Sequence, residues 1–343
     1  PARGNRAGPN LGFRRGAEEF RIIFQRINTG IFRDVDCLME NIWRVTSHIR
    51  AKLERTRGAD PDREVLTLIP TRRGAAYHLT EAGECWRAYI FIEGAYTTDV
   101  VQNNGQACEA AKAFGRFQRM LSDLPHPPLG VTIPDFHNTP KRFDALVRAM
   151  EEDRLGRRKE CERELEQAMQ YRPQAGTVVD GMAAGRIPVR VTHNDTKINN
   201  VMLDEQTDRG VCVIDLDTVM PGSALDDFGD QVRSMVGGFD ENTRDIDEVA
   251  VDLGRFDCLA RGYLEVVQDC LDAREVELLP FAGLLMTLEV GVRFLTDYLE
   301  GDVYFKTGRP GENLDRARVQ LALVKAIDEH RPAMEEIVAK YQR

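Results

Sequence analysis

Hydrophobic and polar positions change their period once along the chain. From Arg21 to Ile92, short runs bounded by turn residues dominate: Arg21–Ile27 (ending in Asn28), Val65–Pro70, Ala75–Leu79 and Cys85–Ile92 read as strands. Arg72-Arg73-Gly74 and Glu81-Ala82-Gly83 supply turns that fold the last three into an antiparallel sheet. One helix interrupts them. Asp34–Leu53 sets Leu38, Ile42, Val45 and Ile49 on a single face at helical spacing. Beyond Gly94 the helical period takes over, over 108–124, 142–169, 247–268, 279–300 and 314–341. The order predicts an α+β chain of two lobes: a small antiparallel β-sheet lobe, residues 1–93, with the strand–helix–sheet order of a kinase small lobe, and a larger mainly helical lobe, residues 94–343. Pro-rich Leu124–Pro128 is a loop within the second lobe, and there is no internal repeat.

The first twenty residues break this pattern. Pro1–Gly16 has no alternation, few apolar positions and an excess of Arg, Gly, Pro and Ala, and the chain does not begin with Met. A nucleotide-binding small lobe opens with two strands whose turn covers the phosphates. The composition instead predicts a disordered, truncated or mistranslated start, which leaves phosphates open to water.

Within the helical half lies a strand, a loop and a hairpin. Ile187–Val191 leads into His193-Asn194-Asp195-Thr196-Lys197-Ile198-Asn199-Asn200. The strands Val201–Leu203 and Val211–Ile214, joined by the polar turn Asp204–Gly210, then return the chain to Asp215-Leu216-Asp217. The hairpin brings Asp215 back beside Asp195 and Asn200. An Asp that accepts a hydroxyl proton, an Asn five residues later and an Asp at the next strand end are what metal-assisted phosphoryl transfer requires. Asp195 reads as the base, Asn200 and Asp215 as Mg²⁺ ligands, and Lys197 as the cation that offsets charge on the transferred group. His193 reads as a loop support. Asp227-Phe228-Gly229 spells a kinase metal motif but follows Asp215, which already holds the strand-end position, so Asp227 and Asp230 read as supporting residues. Taken alone, His-x-Asp is common and Asx-rich turns usually only shape the chain; the full set in this strand and hairpin context carries the reading.

The phrase THNDTKINNVMLD…VIDLDTVMPG…DDFGD resembles the aminoglycoside/choline phosphotransferase superfamily. It is most similar to the N-acetylhexosamine 1-kinases, as are FQRINTGIF, LMENI, PDFHNT and RFLTDYLEGDVYFK; the likeness runs from Phe24 to Leu323. The resemblance implies ATP and Mg²⁺ as cofactors and phosphorylation of the anomeric hydroxyl of a small sugar. Arg293 and Tyr304, in the branch's most characteristic phrase, are then expected to contact the sugar, and Asp215 and Asp217 to share that contact or a second metal. Residue types alone allow a plainer reading, in which Glu289, Arg293 and Asp297 form a solvated ion-pair ladder on one helix face. His137 is a further pocket candidate. In the resembled enzymes the first residues hold a polar Gly-His-Asn-like stretch, which this sequence lacks.

The nucleotide-binding positions follow by place in the chain. Phe91, Ile92 and Glu93 stand where a hinge meets adenine. Arg26 stands on the strand that carries the phosphate-binding Lys of kinases, with Glu40 on the next helix as its expected ion-pair partner; a surface Arg and a surface Glu fit the residue types equally well. Three other readings stay open: a kinase of the same fold acting on an aminoglycoside, an amino alcohol or homoserine, with Asp226, Asp227, Asp230 and Asp297 as ammonium partners; a nucleotide-binding pseudokinase; and a protein kinase, against which stands the lack of an Ala-Pro-Glu phrase after Asp215.

Bulk properties narrow the class. The 343 residues are ample for two lobes and a sizeable core. The net charge of −10 argues against general nucleic-acid binding. No run of about eighteen apolar residues marks a membrane span, and no signal peptide is apparent. Seven scattered cysteines without a CxxC predict buried thiols in a cytoplasmic protein.

Overall fold

The computed structural model describes residues 6–15 and 18–342. The chain opens with β1 (Arg6–Arg15) and β2 (Glu18–Arg26), followed by α1 (Val35–Leu53), the one-turn α2 (Pro61–Glu64), β3 (His78–Leu79) and β4 (Cys85–Ile90). These strands form an antiparallel sheet in the order β1-β2-β4-β3. A strand at Arg6–Arg15 corrects the expected disordered start: backbone pairing with β2 supplies what the composition does not signal, and an irregularity between Ala7 and Asn10 absorbs Gly8 and Pro9. The expected disorder of residues 1–5 and 16–17 lies outside the described residues.

Two other strand expectations shrink. Of 65–70, only Leu68 bridges to Tyr89, although Ile69 and Ile90 exchange backbone bonds with Ala88 and Thr67. Of 75–79, only His78 and Leu79 pair. Pro70 and the Arg72–Gly74 turn interrupt the ladder, since proline lacks the donor a strand needs. Helix α1 is as expected, with the Asp34 side chain capping the Cys37 N–H and Leu38, Ile42, Val45 and Ile49 all buried.

After β5 (Ala95–Tyr96) come α3 (Asn104–Leu121), α4 (Thr139–Glu152), α5 (Glu162–Tyr171) and α6 (Thr177–Ala183), then β6 (Arg190–Thr192), β7 (Val201–Asp204), β8 (Gly210–Val213) and β9 (Met220–Gly222). The helices α7 (Ala224–Met235), α8 (Leu253–Val267), α9 (Ala273–Glu300) and α10 (Glu312–Ala339) complete the described chain. The single helix expected over 142–169 is two, because Asp153 takes the left-handed conformation that ends α4, and Gly156 follows. Helix α9 starts earlier than its apolar period suggests, at a capping box between Asp272 and Glu275. It is also long and apolar enough to cross a bilayer, which the sequence reading had not found. Since 83% of that apolar window is buried among the other helices, we read it as a core helix. The architecture is the two-lobed α+β one, and a single hydrophobic cluster runs from Ile27 to Val338. All seven cysteines are free.

Candidate active site

Two short sheets present the His193–Asn200 loop between them. Antiparallel β6 and β9 bring Thr192 opposite Met220, and the β7–β8 hairpin pairs Val201 with Val213. The Asn200 carbonyl accepts from the Ile214 N–H at 2.9 Å, fixing the distance between the loop and Asp215. A side chain at Gly222 would meet Asn194 Oδ1 at 2.8 Å, so only glycine lets β9 pass this close to the loop.

Asp195 stands at the centre. Its Oδ1 lies 3.1 Å from Lys197 Nζ, and its Oδ2 accepts from Asn200 Nδ2 at 3.0 Å. Burial lifts the Asp195 pKa, but Lys197 and the Asn200 amide outweigh it and hold the carboxyl below its ordinary value. Asp195 is therefore a carboxylate shaped to orient a hydroxyl more than to pull strongly on its proton. Asn200 spends its amide N–H groups on the Asp195 carbonyl and carboxylate, which turns its oxygen, the atom able to ligate a cation, the other way.

Asp215 closes the strand in the left-handed conformation, φ 58°. Its side chain is open to solvent by area yet crowded by protein, and that crowding, followed by the charges of Asp217 and Asp195, raises its pKa to about 6. A cation beside Asp215 relieves this repulsion. Among the described residues no three His, Cys, Asp or Glu side chains form a self-sufficient metal cage. Asn200 and Asp215 instead fit Mg²⁺, which takes few protein oxygens and completes its shell with water and phosphate.

The residues expected to support the loop divide. Asp227 accepts from the backbone N–H groups of His193 (2.9 Å) and Asn194 (2.7 Å). His193, fully buried, donates from Nε2 to the Ile214 carbonyl at 2.9 Å and accepts the Asp195 N–H at Nδ1, with Phe114 and Phe117 at its edges. Asp230 does not touch the loop backbone. It pairs with buried Arg233 at 2.7 Å and lies within electrostatic range of Lys197.

The small-lobe assignments change. Arg26 does not pair with Glu40. It binds Glu84 at 2.6 Å, and Glu40 is exposed on the outer side of α1. Strand alternation is the reason: Gln25 and Arg87 face each other on one side of the sheet, so Arg26, opposite Trp86, points to the other. The cation the sequence reading missed is Arg87. It is buried between the lobes, donates to Gln25 at 2.9 and 2.7 Å and to Asp217, and feels the charge of Asp215. Asp217 is thus engaged by Arg87 through one carboxylate oxygen. The available signal was β4's alternation, Cys85-x-Arg87-x-Tyr89, which puts an Arg on an otherwise buried face. At the expected hinge, Ile92 belongs to the core. Glu93 pairs with Arg21, whose guanidinium stacks 3.7 Å from the Phe91 ring. Arg63 takes the Glu93 and Gly94 carbonyls at 3.2 and 3.0 Å.

Arg293 and Tyr304 do come together, 3.5 Å apart, with the Arg293 guanidinium also 5.4 Å from the Phe136 ring. Asp297 leaves this face to cap the turn after α9, accepting from Val303, Tyr304 and Phe305 N–H. Glu289 is buried against His137 at 2.9 Å, so the solvated ladder over 289–297 does not form.

A family model described as the phosphotransferase enzyme family matches residues 62–263, more than half of the chain. Among solved structures, the chain is similar to a microcompartment-associated aminopropanol kinase (13% identity, 96% of this chain and 94% of that one, TM-score 0.56). It is also similar to an aminoglycoside phosphotransferase from Alicyclobacillus acidocaldarius (12%, 96% and 92%, TM-score 0.54) and to an amicoumacin kinase in complex with AMP-PNP and Ca²⁺ (12%, 91% and 87%, TM-score 0.54). At these identities the likeness is one of fold. With the family model, the fold and a loop built around Asp195, Asn200 and Asp215 all in agreement, the chain belongs to the phosphotransferase enzyme family.

Proposed function

We propose that this small-molecule phosphotransferase uses ATP and Mg²⁺ to phosphorylate the anomeric hydroxyl of an N-acetylhexosamine, N-acetylglucosamine or N-acetylgalactosamine, giving the sugar 1-phosphate and ADP. The observation that carries the acceptor class is the charge beside the loop. Arg293 lies close enough to Arg142 that, after burial, its charge is the next cause lowering the Arg142 pKa. The carboxylate whose charge acts most on Arg142, Glu289, is already engaged by His137 and Thr139. An aminoglycoside or amino alcohol would bring its ammonium to this positive, aromatic-edged face. A neutral sugar meets guanidinium donors for its acetamido oxygen and hydroxyls, with Tyr304 and Phe136 for its apolar face.

In the reaction, Asp195 accepts a hydrogen bond from the acceptor hydroxyl and takes its proton as the oxygen–phosphorus bond forms and the bond to the ADP oxygen breaks. Lys197 keeps the Asp195 carboxylate oriented and adds positive charge near the transferred group. Asn200 and Asp215 would hold Mg²⁺, which when bound supplies charge neutralisation on the phosphates. Phe91 would stand beside the adenine, and Arg87 supplies the small-lobe cation near Asp215.

The test is phosphorus NMR of the protein with Mg-ATP and either sugar in parallel. An anomeric phosphate signal appearing with ADP supports the reading and ranks the epimers. Phosphate transfer to an amino alcohol or an aminoglycoside with neither sugar reacting would overturn it. In Asp195→Asn, turnover should collapse while Mg-ATP still raises the melting temperature.

A further inference from the structure

Both ring nitrogens of His137 face acceptors. Nδ1 lies 2.9 Å from Glu289 Oε1, and Nε2 lies 2.9 Å from the Asn194 carbonyl oxygen. A neutral imidazole has one N–H and one lone pair, so it can satisfy one such partner and must turn a lone pair on the other. The proton that resolves this belongs on the ring. Burial raises the Glu289 pKa, but the facing His137 ring and then the positive charges of Arg293 and Arg142 hold it below its ordinary value; the Thr139 hydroxyl donates to its second oxygen at 2.8 Å. The His137 side chain is 8% exposed and Glu289 1%, so water does not substitute for either partner.

The carbonyl that His137 grips belongs to the peptide plane leading into Asp195. The N–H of that same plane is accepted by Nδ1 of His193 at 3.3 Å. One histidine donates to the plane and the other accepts from it. The preceding plane is held by Asp227 through the Asn194 N–H. Asn194 itself has φ 65°, a conformation that a non-glycine residue keeps only when its surroundings hold it. Glu289 also lies one helical turn before Arg293 on α9, and Phe136, beside His137, underlies the Arg293 guanidinium. The helix that faces the acceptor is therefore joined to the peptide that aims the base.

We propose that His137 is a positioning residue, protonated through neutral pH, whose imidazolium, balanced by Glu289, clamps the peptide plane that orients Asp195. The kinetic part of this rests on the phosphotransferase reading above; the charge state of the ring does not. The charged groups around the ring are Glu289 and Arg293 on α9, Arg142 on α4, and Asp226 and Asp227 on α7. Burial opposes the charge, but Glu289 outweighs it and raises the His137 pKa to about 9.

The deciding measurement is nitrogen NMR of the protein labelled at histidine, followed from pH 6 to 9, with the His137 signals assigned by their loss in His137→Gln. Both ring nitrogens of His137 should remain protonated through neutral pH. A bare nitrogen on His137 at pH 7, including the state in which Glu289 holds the proton, overturns the proposal. In the kinetic arm, His137→Leu should lower kcat by roughly 10²-fold, the scale of a misaimed reacting group, with Mg-ATP affinity retained. His137→Gln, which keeps one donor, should recover part of that loss. Unchanged kcat, or kcat and Mg-ATP affinity falling together, would also overturn it. If the wild-type protein transfers phosphate to neither sugar, the acceptor assignment fails, and the NMR arm still decides the state of His137.

Discussion

Replacing Arg87 by Met tests whether the lobes are joined through one buried ion pair. The Arg87 and Asp217 side chains are 1% and 5% exposed, and the guanidinium also serves Gln25 from two nitrogens. Removing the Arg leaves the Asp217 carboxylate without its principal countercharge in a place water does not fill. The cost of such an orphan is about 3–5 kcal/mol, a large part of the roughly 5–15 kcal/mol that holds a typical protein folded. At about 2 °C or more per kcal/mol for a chain of this size, the melting temperature should fall on the order of 10 °C. The discriminating variant is the double one. Arg87→Met with Asp217→Asn removes both charges, so its loss should be well below the sum of the single losses, because no isolated charge remains. Thermal and urea unfolding of the four proteins measure the cycle. Additive losses, or an Arg87→Met protein within about 0.5 kcal/mol of wild type, would refute the reasoning. Repeating the melts with Mg-ATP asks a second question: if Arg87 also sets the charge around Asp215, the nucleotide-induced rise should shrink in Arg87→Met.

Three further outcomes follow from particular residues. Burial first, then Glu289 and Asp227, raises the Asp226 pKa to about 7 against His137. The native state therefore keeps a proton that the unfolded chain releases near pH 4, and the stability this confers fades as pH climbs to about 7. Asp226→Asn should gain on wild type across that window, by up to about 4 kcal/mol at about 1.4 kcal/mol per pH unit, and a difference in urea midpoint that stays constant from pH 5 to 8 would count against it. Gly229→Ala drives a methyl into the Ala282 carbonyl where α7 crosses α9, and should cost about 1–3 kcal/mol or more in urea unfolding. Arg26→Ala and Glu40→Ala should each shift stability by about 1 kcal/mol or less, since the Arg26–Glu84 pair is 40% exposed on both sides and Glu40 faces solvent; a large loss of Mg-ATP affinity in either would restore the phosphate role that the sheet register argues against.

The sequence by itself determined the elements whose signal is local. The α1 stripe, the β7–β8 hairpin with its polar turn, and the order Asp195, Lys197, Asn200, Asp215 are all contained within short windows. There, period and turn chemistry dictate which way each side chain points, so the fold class and the core of the site could be read directly. What tertiary structure decided is everything that depends on pairing between distant strands and helices. β1 is a strand because β2 lies beside it, though Arg6–Arg15 has no strand composition of its own. Register placed Gln25, not Arg26, on the face shared with Arg87, and one residue of shift reverses every side chain on a strand. Arg87 meets Asp217 across 130 residues, and His137 meets Glu289 across 152. No window of sequence contains both members of either pair. Their charge states arise only once folding removes water from between them, because the low dielectric that makes a buried charge costly also makes its single partner decisive.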